Sequence, residues 1–80
     1  MQHFLLKTES MHQSLQLGFK NSEAVRSVQK RLKELGYYKG NADGDFGPAT
    51  EAAVKAFQSA NGLKVDGICG SETLKVLFGY

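Results

Sequence analysis

Hydrophobic side chains first recur at helical spacing after Ser22. One of them appears every three or four positions, which defines one face of an α-helix. These residues are Val25, Val28, Leu32 and Leu35. Ser22 is suited to cap the start of this helix, and Gly36 is suited to end it in the left-handed conformation.

Two further helices are predicted towards the C-terminus. Pro48 stands where proline is best tolerated, at the first position of a helix, and an alanine-rich run follows it as far as Asn61-Gly62. Its apolar face would carry Ala53, Phe57 and Ala60, with Val54 beside it. The last helix is predicted from Ser71 to about Phe78, with Leu74, Leu77 and Phe78 on one face.

The two loops between these helices repeat one motif. The pattern D-G-x-x-G-x-x-T begins at Asp43 and returns 23 positions later at Asp66. Upstream, Gly36-Tyr37 corresponds to Gly62-Leu63 at 26 positions, and Gln29 corresponds to Gln58 at 29. Each copy therefore contains a helix, a glycine stop, a loop, an Asp-Gly turn and the start of the next helix.

The motif residues suit a structural role in these loops. An aspartate before glycine bonds backbone amides ahead of it, glycine accepts positive φ, and a threonine in the first helical turn can bond the loop. The structural set is Gly36, Asp43, Gly44, Gly47, Thr50, Gly62, Asp66, Gly67, Gly70 and Thr73.

The sequence thus predicts an all-α fold, a compact three-helix bundle with two structured Asp-Gly loops and an internally duplicated helix-loop unit. Residues 1–14 show no clear period and are interpreted as a linker or loose N-terminal arm, and residues 15–80 as the domain. Small β-bridges are expected at Lys64-Val65 and Tyr37-Tyr38, which have some strand character.

Composition narrows the functional classes. Ten Lys and Arg stand against eight Asp and Glu, and this net charge of +2 is too mild to imply a polyanionic partner. A single cysteine excludes an internal disulfide, and no apolar run approaches the length of a membrane span. The opening residues have only a three-residue apolar stretch, so no signal peptide is expected in this chain.

Candidate catalytic and metal-binding groups are few. His3 and His12 lie in the predicted arm, and Cys69 has no histidine near it in the sequence, so it is interpreted as a small apolar residue. Asp43 and Asp45 lack the following glycine and glutamate of a calcium loop, and their spacing does not suit a glycosidase pair. We therefore expect no catalytic residue, no metal and no cofactor.

Four motifs together carry a family resemblance. They are V-x-x-V-Q-x-x-L-x-x-L-G-Y-Y from Val25, G-N-A-D-G-D-F-G-P-A-T from Gly40, A-V-K-A-F-Q from Ala53 and N-G-L-x-x-D-G-x-x-G-x-x-T from Asn61. In this order they resemble the peptidoglycan-binding domain type 1 family, from about Leu15 to Phe78. The resemblance implies a non-catalytic three-helix module that binds cell-wall peptidoglycan, through its glycan or its stem peptide, and anchors an attached wall hydrolase.

Polar and aromatic residues near the loops are the candidate ligand contacts. Sugar rings stack on exposed aromatic side chains, while hydroxyls, amides and carboxylates need polar partners. We expect Tyr37 and Phe46 in the core and Tyr38 more exposed. The candidate contacts are Arg31, Tyr38, Lys39, Asn41, Asp45 and Gln58. Because Gln29 and Gln58 recur in both repeats, a structural bond to the loop backbone is an equally good interpretation.

Two other functions stay open at this point. Three short helices with Arg26, Lys30, Arg31 and Lys33 on one of them also suit a nucleic-acid-binding domain, although the Asp-Gly loops would repel phosphate. A regulatory domain that docks on an attached catalytic domain is the second alternative. For the wall-binding function we expect a monomer at the cell wall or outside the cell, without nucleic-acid or membrane partners.

Overall fold

Three α-helices joined by two loops make up the fold, seen in a computed structural model that describes residues 14–79. Helix α1 comprises Glu23–Glu34, α2 comprises Pro48–Ala60 and α3 comprises Ser71–Phe78. The predicted all-α bundle is confirmed, and α1 packs against both other helices. Residues 1–13 and 80 lie outside the described residues, so the arm over residues 1–14 and the domain over 15–80 stay predictions.

The helix ends follow the local sequence signals. The Ser22 side chain accepts a hydrogen bond of 3.2 Å from the amide of Val25 at the start of α1, and proline is the first residue of α2. After α1 and α2 the chain turns through Gly36 and Gly62, with φ of 89° and 69°. These glycines adopt a conformation that costs a side-chain-bearing residue about 1–2 kcal/mol.

One hydrophobic core joins the three helices, the loops and the segment before α1. Its buried members are Leu15, Val25, Val28, Leu32, Tyr38, Phe46, Ala53, Val54, Phe57, Cys69, Leu74 and Leu77. Tyr37 lies at its edge, with its ring edge-on to Phe57 at a centroid distance of 5.6 Å.

Two residues predicted for apolar faces lie outside this core. Leu35 is 42% exposed because α1 has ended at Glu34, and the chain returns to the core at Tyr37 and Tyr38 instead. Ala60 is exposed because it ends α2, after which Leu63 folds back against the core.

The segment before α1, residues 15–22, binds both loops, and we call it the strap. Leu15 and Cys69 exchange two backbone hydrogen bonds of 3.1 and 2.8 Å. Further along the strap, the amide of Gly18 donates to the carbonyl of Phe46 at 3.1 Å. Because Phe46 and Cys69 are equivalent in the two repeats, the strap holds both loops at the same point of the motif.

This arrangement corrects the expected β-bridges. The isolated bridge in the described part of the chain joins Leu15 to Cys69, not Lys64-Val65 or Tyr37-Tyr38. The amides of Tyr37 and Tyr38 instead bond the carbonyl of Leu32 near the end of α1, and Lys64 and Val65 are exposed.

Candidate binding groove

A buried glutamine organises the first loop. The Gln29 side-chain nitrogen lies 3.2 Å from a carboxylate oxygen of Asp43, 3.0 Å from the carbonyl oxygen of Asp45 and 2.9 Å from the hydroxyl of Thr50. Its oxygen accepts a 2.9 Å hydrogen bond from the amide of Gly44. The loop is therefore attached to α1 and to the start of α2 through one side chain.

Gln58 repeats this arrangement in the second loop. Its nitrogen lies 2.9 Å from a carboxylate oxygen of Asp66, 3.0 Å from the carbonyl of Ile68 and 3.1 Å from the hydroxyl of Thr73. Its oxygen accepts from the amides of Asp66 and Gly67. The threonine hydroxyls, which were predicted to bond the loop, thus contact the glutamines that hold it.

The two loop aspartates are held as carboxylates. The backbone amide of Asp45 and the side chain of Gln29 donate to Asp43, and this lowers the pKa of Asp43. The backbone amide of Ile68 and the side chain of Gln58 lower the pKa of Asp66 in the same way. Hydrogen bonds to a carboxylate favour its charged form, so the negative charge belongs to the loop structure.

A groove opens beside the second loop. It has a volume of about 270 Å³ and runs between the loop and the start of α3. It is lined by Ser14, Gln58, Leu63, Lys64, Asp66, Ile68, Gly70, Ser71, Glu72 and Thr73. A concave site with several converging polar groups is the ordinary form of a ligand site.

Tyr38 fills the corresponding space in the first loop. Its side chain is buried, with the hydroxyl 3.5 Å from the Gln29 nitrogen and donating to the carbonyl of Asn41 at 2.8 Å. Gly40 lies so close that an added Cβ would stand 2.7 Å from the phenol oxygen. The second repeat has the exposed Lys64 in place of Tyr38, so the space beside Gln58 stays open.

The expected exposure of the two tyrosines is therefore wrong. Tyr38 is 7% exposed and belongs to the core, whereas Tyr37 is the partly buried one. The reason is the hydrogen bond from the Tyr38 hydroxyl to Asn41, which satisfies its polar end inside the loop. Phe46 is buried beneath the first loop, as expected.

The other candidate contacts fall into two groups. Gln58 is buried, and the Arg31 side chain donates to the carbonyl of Leu77 at 3.0 Å, so it connects α1 to the end of α3. Lys39, Asn41 and Asp45 are exposed along the first loop. A carboxylate oxygen of Asp45 also accepts a 2.8 Å bond from the backbone of Asn21.

Sequence reasoning missed most of the groove. Leu63, Lys64, Ile68, Ser71 and Glu72 were not among the candidate contacts. The available signal was the repeat itself, since the offset that aligns Gly36 with Gly62 also aligns Tyr38 with Lys64.

Within residues 14–79 the one cysteine is buried, and neither a metal site nor a membrane-spanning helix is found. Cys69 is fully buried, and burial raises the pKa of its thiol to about 12. Near neutral pH the thiol is therefore protonated, and the reactive thiolate is not formed. Within residues 14–79 no three His, Cys, Asp or Glu side chains converge to hold a metal ion. None of the three helices there is long and apolar enough to cross a bilayer.

Comparison with known proteins agrees with this architecture. The peptidoglycan binding domain family matches residues 21–77, from the end of the strap to the last turn of α3. The chain belongs to this family. The crystal structure of the SleB N-terminal domain superposes on this peptidoglycan-binding domain with a TM-score of 0.82 and 41% identity, over 85% of this chain and 92% of that one.

Curated relatives are much longer than this peptidoglycan-binding domain. The N-acetylmuramoyl-L-alanine amidase CwlM of Mycobacterium tuberculosis is 48% identical over 54 residues, which cover 68% of this chain and 13% of the amidase. A zinc D-Ala-D-Ala carboxypeptidase of Streptomyces albus G is 48% identical over 62 residues, covering 72% of this chain and 24% of that enzyme. The chain therefore spans about a quarter or less of each.

Proposed function

We propose that this domain binds peptidoglycan without catalysing a reaction, and that it keeps an attached wall hydrolase at its substrate. The observation that carries this proposal is an open polar groove in a domain of the peptidoglycan-binding family. Two relatives that are named as different enzymes, an amidase and a carboxypeptidase, contain a similar segment as a small part of their length. Because enzymes that cleave different bonds share this segment, the segment suits attachment to a common substrate better than catalysis.

The expected gain is effective concentration. Once the domain is bound to an insoluble polymer, the encounter of the attached enzyme with its bond becomes intramolecular, which raises avidity by about 10²–10⁴. We infer that the working protein acts at the cell wall, outside the cytoplasm, and that the domain acts as a monomer.

The nucleic-acid alternative receives less support from the side chains of α1. Arg26 pairs with Glu23 at 3.0 Å and donates to the carbonyl of Asp43 at 3.3 Å. Arg31 pairs with Glu34 at 3.1 Å as well as reaching α3. Two of the four basic residues are thus engaged within the domain rather than presented together to a phosphate backbone.

Co-sedimentation of the 80-residue chain with purified sacculi tests the proposal. The variant Lys64→Tyr, which places in the second repeat the side chain that closes the first, should reduce the bound fraction severalfold. The control Lys30→Tyr changes an exposed lysine on α1 and should bind as the parent does. Absence of binding by the unmodified chain would reject the proposal.

A second surface is tested in the same assay. Lys39, Asn41 and Asp45 are exposed on the first loop and form an alternative contact surface. If Lys39→Tyr and Asn41→Ala lower binding while Lys64→Tyr does not, the ligand is held at the first loop and the groove is not the site.

A further inference from the structure

The aromatic side chains of residues 14–79 are not arranged to hold sugar rings. Six aromatic residues lie within residues 14–79, and none is exposed. Tyr38, Phe46 and Phe57 are buried, while Phe19, Tyr37 and Phe78 are partly buried against the core. None of the six lines the groove. Residues 14–79 therefore offer a glycan no exposed aromatic face on which to stack.

The groove instead offers charges of both signs. Lys64 supplies an ammonium group, and Glu72 and Asp66 supply carboxylates. The two ion pairs among the described residues are Glu23–Arg26 and Arg31–Glu34, so neither Lys64 nor Glu72 is paired in this part of the chain. Both charges are available to a ligand that carries their complements.

Size and the apolar lining also suit a peptide. At about 270 Å³ the groove lies just below the range of about 300–1,000 Å³ in which drug-sized ligands are buried. Leu63 and Ile68 provide aliphatic surface for a short side chain, and the hydroxyls of Ser71 and Thr73 provide hydrogen-bonding groups. One or two amino-acid residues would fill this space.

On the basis of the proposed function, we propose that the groove recognises the peptide stem of peptidoglycan and not its glycan strand. The recognised segment carries a carboxylate that pairs with Lys64 and an amino group that pairs with Glu72. The amino sugars of the glycan strand are ordinarily N-acylated and carry no ammonium group, so they offer Glu72 hydrogen bonds from hydroxyls and amides but no ion pair. A stem residue with a free amine and a free carboxylate satisfies both groups.

Three ligands separate the possibilities when tested with the 80-residue chain. They are intact sacculi, glycan strands freed of their stems by amidase digestion, and the soluble stem peptides released by that digestion. We expect binding to intact sacculi, competition by the soluble peptides, and loss of at least about tenfold in affinity for the stripped glycan. Acetylating the peptide amino groups should abolish the competition.

Charge variants identify the residues responsible. Lys64→Ala and Glu72→Gln should each weaken binding to intact sacculi by about fivefold to tenfold, the effect of one exposed charge-assisted contact. Lys30→Ala is the control for the lysine. Glu23→Gln is the control for the glutamate, because Glu23 also lies in the first turn of a helix but outside the groove.

The outcomes distinguish this inference from the function on which it rests. Equal binding to intact sacculi and stripped glycan, or unchanged binding by both groove variants, would overturn stem recognition and leave wall binding in place. Failure to bind any of the three ligands would overturn both.

Discussion

Two buried glutamines carry a large part of the loop structure. Gln29 and Gln58 are fully or almost fully buried, and each bonds the loop aspartate, a loop carbonyl, a loop amide and the threonine of the next helix. No buried side-chain nitrogen or oxygen within residues 14–79 lacks a partner. In each loop, one glutamine side chain thus forms hydrogen bonds with backbone amides and carbonyls that have no partner strand.

Replacing Gln58 by methionine tests this directly. The substitution keeps the approximate length but removes both polar atoms, which leaves the amides of Asp66 and Gly67 without acceptors. We expect the free energy of unfolding to fall by about 2–4 kcal/mol, since each stranded buried group costs about 1–3 kcal/mol. Urea unfolding followed by circular dichroism measures the change.

The matched control is Gln16→Met in the exposed part of the strap. It should change the free energy of unfolding by no more than about 0.5 kcal/mol. A similar small effect for Gln58→Met would show that the glutamine bonds contribute little to stability.

The glutamines were accessible from the sequence because the repeat aligns them. The two tyrosines were not, because helical periodicity stops at Gly36 and gives no information about which of two consecutive residues turns inward. Tyr38 turns inward because the first loop is long enough to present the carbonyl of Asn41 to its hydroxyl. That contact depends on the folded loop, which no local pattern describes.

At the scale of elements, each loop is a turn built around an ionised aspartate. Hydrogen bonds hold the pKa of Asp43 and of Asp66 below the ordinary aspartate value of 3.8. A group whose pKa is lower in the folded state contributes its full stabilisation above its unfolded-state pKa and loses it as the pH falls through the folded-state pKa. Acid should therefore weaken both loops.

We expect the free energy of unfolding to fall as the pH drops below about 4, whereas above about pH 5 the stabilisation from these aspartates is fully present and no longer changes with pH. The double variant Asp43→Asn, Asp66→Asn should be less stable than the parent at neutral pH and should lose less stability in acid. Urea unfolding at a series of pH values measures both slopes. Parallel pH profiles for the two proteins would contradict the assignment.

The helices were predicted closely and the groove was not, for one physical reason. Helix positions follow from local spacing and from glycine and proline signals, which the chain displays clearly. The groove depends on a difference between two similar loops. The repeat aligns Tyr38 with Lys64 in the sequence. That Tyr38 closes its loop while Lys64 leaves the other open becomes visible only in the folded structure.

At the scale of the whole molecule, the strap joins the start of the fold to its last loop. Leu15 and Cys69 are far apart in sequence, both are buried, and they exchange two backbone bonds. Exposing the Cys69 thiol therefore requires the strap, the second loop and the core around them to separate. The cysteine is a probe of the cooperative opening of the domain.

Thiol labelling measures this opening. At about pH 8, Cys69 in the folded domain should react at least about a hundredfold more slowly than in urea, because it is buried and its pKa is raised to about 12. The control is Ser14→Cys in a Cys69→Val background, which places a thiol at an exposed position. Equal labelling rates for the two folded proteins would show that the strap opens on its own.

The two repeats also show where the chain accepts added length. From glycine stop to loop aspartate, the first copy has three residues more than the second, yet both glutamines make equivalent bonds. The extra residues lie beside the exposed Lys39 and Asn41, before the Asp-Gly turn that the glutamine holds in place. A fluorescent reporter is accordingly best attached to the exposed side chain at position 39 or 41, which leaves the buried Tyr38 beside Gln29 and the groove undisturbed.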